Sequence, residues 1–99
     1  MKEAIPYYQK ILKINPKRPD IYFSLAIIYY NEQDFKKCRE VNETVISFEP
    51  QNQMALYNLG AVAATQGKKE EAREYWNKVI SIDAETETAK LAQESISRL

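Results

Sequence analysis

Residues 19–52 read PDIYFSLAIIYYNEQDFKKCREVNETVISFEPQN, and residues 53–86 read QMALYNLGAVAATQGKKEEAREYWNKVISIDAET. Laid one under the other, the two 34-residue stretches agree in character: Leu25 over Leu59, Ala26 over Gly60, Cys38 over Ala72, Val45 over Val79. The agreement reaches outward into the first residues, where Ala4 joins Cys38 and Ala72 as small, Leu12 joins Ile46 and Ile80 as aliphatic, and Pro16 matches Pro50. Self-similarity at this period means helical hairpins stacked in series. Such a solenoid offers an extended binding surface rather than a catalytic pocket.

Local punctuation predicts six helices. The first runs from about Lys2 to Lys13 and stops ahead of Pro16, because the residue before a proline is pushed out of the helical region. Pro19 suits the first helical position of the second helix, Asp20 suits the positive end of its dipole, and the helix ends near Glu32. Asp34 caps a third helix through about Ser47. Asn52 caps a fourth from Gln53 to Gln66, which Gly67 ends by supplying a left-handed turn. The fifth spans Lys69 to Ser81, and Thr86 caps a sixth that runs almost to Leu99. Every connection is short, so neighbouring helices are antiparallel.

Composition limits the function. Ninety-nine residues make one domain, and a chain this size buries only about 60–65% of its unfolded surface, so each helix needs a neighbour. Fourteen basic and fourteen acidic residues cancel, which argues against nucleic acid and membrane surfaces as partners. No apolar run reaches the roughly 18 residues of a spanning helix, and no signal peptide is visible. A cytoplasmic location is expected. One cysteine excludes an intrachain disulfide and leaves the redox compartment open.

The residues just quoted resemble the tetratricopeptide repeat family over nearly the whole chain. In the unit from Pro19 to Asn52, Tyr22, Leu25, Ala26, Tyr29, Phe35, Cys38, Val45 and Pro50 stand where the family has its characteristic residues. In the unit from Gln53 to Thr86 the same places hold Leu56, Leu59, Gly60, Ala63, Lys69, Ala72, Val79 and Ala84, and Gly67 and Trp76 also fit. The departures are Gln33 for a turn glycine, Asn42 and Lys69 for aromatics, Ala63 for Tyr and Ala84 for Pro. The resemblance implies an all-α, right-handed superhelical solenoid of antiparallel helix pairs. It divides the single domain into 1–18 as the second helix of an incomplete repeat, 19–52 and 53–86 as repeats, and 87–99 as a capping helix.

The spacing has a physical basis beside the resemblance. Leu25, Ala26 and Tyr29 line one stripe of the second helix, as Leu59, Gly60 and Ala63 do in the fourth, and each stripe faces the following helix. Small residues at 4, 38 and 72 let hairpin helices approach, while Tyr8 and Trp76 fill the space between them. The last helix carries Ala89, Ala92, Ile96 and Leu99 on one side and polar residues behind, as a solvating cap does. The first helix aligns with the second helix of a hairpin, so the array begins in mid-unit with Tyr7, Tyr8 and Ile11 partly uncovered. Either the chain is a fragment of a longer repeat protein, or a second copy docks there as a homodimer.

The concave face of such a solenoid is lined by the first helix of each pair, which makes Asp20, Phe23, Ile27, Tyr30, Asn31, Met54, Tyr57, Asn58, Ala61 and Thr65 the candidate partner-binding groove. From Ile21 to Tyr30 only Ser24 is polar, which implies either burial on all sides or an exposed apolar groove. A groove of this content suits a protein or peptide partner anchored by apolar side chains, with Asn31 and Asn58 free to bond its backbone. Phe23→Ala with Tyr57→Ala is expected to abolish binding and leave helicity intact. Family members that hold the C-terminal carboxylate of heat-shock chaperones use Lys, Asn and Arg on three successive first helices. Only Asn58 matches, with Phe23, Met54 and Ala92 at the basic places, so no carboxylate clamp is expected.

Candidate chemistry is thin. Without histidine there is no histidine-activated nucleophile, and one cysteine cannot build a zinc site of the usual Cys and His type. Cys38 is either a reactive thiol or a small core residue, and its equivalents Ala4 and Ala72 favour the core. Glu70 with Glu71, and Glu85 with Glu87, lie near helix N-termini as solvated dipole partners. Asn42 is the odd core residue, expected to bond a tyrosine hydroxyl or the backbone. No catalytic residue, metal or cofactor is assigned. The sequence reads as a non-enzymatic interaction scaffold or adaptor, with two alternatives: a self-assembly unit joined through the first helix, or the targeting part of a larger enzyme.

Overall fold

The computed structural model describes residues 3–99, and those residues form six helices: α1 (Ala4–Ile14), α2 (Pro19–Asn31), α3 (Phe35–Phe48), α4 (Gln53–Thr65), α5 (Lys69–Ile82) and α6 (Glu87–Ser97). Each expected helix is present with ends shifted by a residue or two, as fraying termini allow. The expected start at Lys2 lies outside the described residues. Caps explain the boundaries. Asp34, Asn52 and Thr86 accept from the backbone N–H groups of Lys37 (3.2 Å), Ala55 (2.9 Å) and Ala89 (3.1 Å), which satisfies donors that the first turn cannot pair internally. Pro19 opens α2.

The hairpin turns repeat in detail. Gln33 has φ 61° and Gly67 has φ 80°, and the two lie one period apart. At the first turn Gln33 N–H bonds Tyr30 O at 2.9 Å and Asp34 N–H bonds Tyr29 O at 2.8 Å; at the second, Gly67 bonds Ala64 O at 3.0 Å and Lys68 bonds Ala63 O at 2.8 Å. Both turns close the last carbonyls of their helix in one left-handed geometry. Only one of them uses glycine to do so.

Packing follows the small residues. α2 pairs with α3, α4 with α5, and α3 and α5 each lie against the next helix, giving an array 38 × 25 × 19 Å. One cluster joins Leu25, Ala26, Tyr29, Cys38 and Val62; another joins Leu56, Ala63, Ala72, Trp76, Val79, Ala89 and Ala92. Ala72, Ala89 and Ala92 are completely buried, so these helices meet nearly backbone to backbone. At Gly60 the Trp76 indole occupies the space a Cβ would need and donates its N–H to Tyr57 O at 3.1 Å.

The two ends differ from the middle. α1 buries no residue completely; Ile5, Tyr8 and Leu12 pack partly against the first cluster, and Ala4 is only half-buried where Cys38 and Ala72 are sealed. At the other end Ala89 and Ala92 are sealed while Ile96 and Leu99 are partly buried, and Leu91 stands exposed. α6 therefore carries one large apolar residue outside its buried stripe.

Candidate functional site

The concave surface begins with a helix that is apolar on more sides than it can bury. α2 turns Ile21, Leu25, Ala26, Ile28 and Tyr29 into the core, which uses its 3.6-residue stripe and leaves the neighbouring stripe outside. Ile27 is 56% exposed and Tyr30 38%. The second stripe is thus exposed rather than buried on all sides, with Phe23 half-buried along it. From α4, Met54 is 43% exposed beside it, while Tyr57, Asn58 and Ala61 are half-buried.

A pocket of about 220 Å3 opens where α2, α3 and α4 meet. Its walls are Ala26, Ile27, Tyr30 and Asn31 of α2, Cys38 of α3, and Asn58 and Ala61 of α4. Five of the ten expected groove residues line it: Ile27, Tyr30, Asn31, Asn58 and Ala61. Ala26 and Cys38, expected as core residues, also line it.

The polar groups around the pocket are largely engaged with each other. Asn42, completely buried, donates its amide to Cys38 O at 2.9 Å and accepts from Asn58 Nδ2 at 3.0 Å. The backbone bond is the expected one; the second partner is an asparagine in place of a tyrosine. Tyr30 and Thr65 hydroxyls meet at 2.8 Å, and Thr65 also donates to Ala61 O at 2.9 Å. Burial pushes the Cys38 thiol up to about 11, with Asp34 adding to the effect, so at neutral pH it is a protonated wall group and no nucleophile.

Other expected groove residues have structural duties. Tyr57 stacks on Trp76 with ring centroids 5.8 Å apart and shares a 3.0 Å hydrogen bond with Ser95, so its truncation would disturb the last hairpin as well as the groove. Asp20 forms an ion pair with Arg18 at 2.8 Å, and that hydrogen-bonded guanidinium holds its carboxyl below the usual range. Leu91, 46% exposed, was missed. It follows Phe23 and Tyr57 at successive 34-residue steps, so the period itself places it on the concave face. On α1, Tyr7 is 64% exposed and rests its ring against Tyr8 at 5.7 Å, while Tyr8 and Ile11 are half-buried. Ile14, 88% exposed, was not singled out.

Among the described residues no group of three or more metal-ligating side chains forms, and no helix is long and apolar enough to cross a membrane. The arrangement suits recognition by shape and apolar contact. Two models of the tetratricopeptide repeat match this chain, one over residues 1–54 and one over residues 53–85.

The chain belongs to the tetratricopeptide repeat family. As a tetratricopeptide repeat protein it carries a general protein–protein interaction module, a fold typically non-catalytic. It is 31% identical over 90 residues to the TPR repeat-containing protein MJ1428 of Methanocaldococcus jannaschii, a match that takes in 81% of this chain and 16% of that protein. The chain therefore spans about a sixth of the curated relative it matches. Among solved structures it is similar to the Arabidopsis OM64 TPR domain, with a TM-score of 0.82 at 16% identity, covering 98% of this chain and 80% of that one. The first TPR of Spaghetti (RPAP3), solved with an HSP90 peptide, gives a TM-score of 0.80 at 22% identity over 98% of this chain and 77% of that one. At these identities the two structures share the solenoid fold with it.

Proposed function

We propose that this tetratricopeptide module binds a protein partner by seating an apolar side chain of a peptide or helix in the pocket between α2 and α4. The observation that carries this reading is the 220 Å3 pocket itself, continuous with exposed Ile27 and Tyr30. Isolated exposed apolar residues are ordinary, but a concave cluster with few polar groups is the usual form of a binding site. The neighbour from Spaghetti holds the peptide SRMEEVD, which is rich in acid. α2 and α4 of this chain contain no Lys or Arg, so an acidic tail has no cation to meet there. An uncharged, apolar segment is the better fit. Panning a random twelve-residue displayed peptide library against the chain tests the reading. Binders should be apolar, and Ala61→Arg and Ile27→Asp should each abolish their binding; binders indifferent to both changes would place recognition elsewhere.

A second reading, self-association through α1, is favoured by the exposure of Tyr7 and Ile14 on a helix with no fully buried residue. Sedimentation equilibrium decides it. A dimer that Tyr7→Glu with Ile14→Glu converts to monomer supports the reading, and a wild-type monomer at high concentration removes it.

A further inference from the structure

The bond between buried Asn42 and half-buried Asn58 fixes which hydrogen-bonding group the pocket shows to a visitor. The logic starts from Cys38 O, a backbone carbonyl, which can only accept. Asn42 must therefore turn its Nδ2 toward it, as the 2.9 Å bond records, leaving Oδ1 as the atom that faces Asn58. An acceptor there requires a donor opposite. Asn58 accordingly presents Nδ2 at 3.0 Å, and its own Oδ1 lies on the other arm of the planar amide, where no donor among the described residues bonds it. The Tyr30 hydroxyl on the rim is oriented in the same way. Thr65 spends its single hydroxyl proton on Ala61 O, so Tyr30 donates to Thr65 and keeps its lone pairs outward.

Resting on the pocket-binding reading above, we propose that Asn42 is a positioning residue and Asn58 a specificity residue, which together make the pocket select an apolar ring bearing a hydrogen-bond donor, a partner's tryptophan indole. The walls carry no charged side chain, and the volume of about 220 Å3 exceeds the roughly 150 Å3 apolar cavity known to admit a benzene ring. The indole is the one aromatic side chain that donates and does not accept. A carboxylate, an acceptor only, would gain no hydrogen bond from the Asn58 Oδ1 or from the Tyr30 oxygen lone pairs. The departure of residue 42 from the aromatic expected there acquires a purpose in this arrangement. It turns the Asn58 amide.

The test uses two probes of one shape, N-acetyl-tryptophan amide and its benzothienyl-alanine analogue, in which sulfur replaces the N–H. Binding to the full chain is read by NMR from the Ile27 and Ala61 methyl signals and the Asn58 side-chain amide. The indole probe should bind about two- to tenfold more tightly than the analogue, the range expected for one neutral hydrogen bond. In Asn42→Leu, similar in bulk but unable to accept from Asn58, that ratio should fall to about one. Asn58→Leu, which deletes the acceptor itself, should give the same collapse and decides the matter if Asn42→Leu does not fold. Equal binding of both probes to the wild type, or a preference that survives in the variants, overturns this inference and leaves the pocket reading standing. If neither probe moves the Ile27 and Ala61 signals, the pocket reading falls and this inference with it.

Discussion

The indole of Trp76 lies across the backbone of Gly60, with Cδ1 and Cε2 within 2.7 and 2.9 Å of the position a Cβ would take. The ring holds that place because its N–H bonds Tyr57 O at 3.1 Å and its face stacks on the Tyr57 ring. It cannot slide away without losing both contacts. Gly60→Ala should therefore destabilise the protein by about 1–3 kcal/mol as an overpacked core does, even though alanine in a helix is favoured by about 1 kcal/mol. Urea unfolding followed by circular dichroism measures the difference; a gain in stability would show that the ring relaxes freely.

Gln33 and Gly67 occupy one conformation with different residues, and the contrast gives a matched pair. A side chain at positive φ strains the backbone. Gln33→Gly should raise stability by roughly 0.5–1 kcal/mol, and Gly67→Ala should lower it by about 1 kcal/mol. No atom lies within 4 Å of a Cβ at residue 67, so the second loss is backbone strain without a clash. Two unchanged denaturation midpoints would refute the account.

The Cys38 thiol titrates higher in the fold than in the unfolded chain, about 11 against the ordinary 9.0. Between those values the native protein holds a proton that the unfolded chain has released. By linkage its contribution to stability is fully present below about 9 and is lost as pH rises toward about 11. Comparing urea midpoints across that window for the wild type and Cys38→Ala isolates this contribution: the wild type should decline more steeply. Parallel declines would show that the thiol is no more buried in solution than when unfolded.

Protection against hydrogen exchange should be unequal along the array. α1 buries no residue completely, whereas α4 buries Ala55, Leu56, Leu59, Gly60, Val62 and Ala63. Local opening costs least where least apolar surface is sealed. Exchange mass spectrometry should find α1 labelled well before α4 and α5, and equal labelling of all three would mean that α1 is covered in solution, as self-association requires.

The helices and their caps were legible because each rests on local chemistry: a proline, a capping side chain, a stripe at helical spacing. The second apolar stripe of α2 was legible too, since Ile27 and Tyr30 fall beside the core stripe at helical spacing. What the sequence left open was whether that second stripe is covered, because exposure depends on how far neighbouring helices stand away. The pocket was hidden for the same reason. It needs Ala26, Cys38 and Asn58 brought together from three helices, and nothing local to any of them announces the meeting. The Asn42–Asn58 bond, between residues whose separation of 16 belongs to neither the helical turn nor the repeat, had no periodic signal. Leu91 did have one, and reading the concave register one step further would have found it.

Trp76 is the only tryptophan in the chain, and its ring sits in the C-terminal core cluster, against α4. Fluorescence therefore watches one end of a quasi-linear array, while circular dichroism averages over all of it. In a solenoid whose units are coupled only to their neighbours, the two signals need not melt together. Any gap between their midpoints is a direct readout of how strongly the hairpins are coupled, obtained with a native reporter and no label.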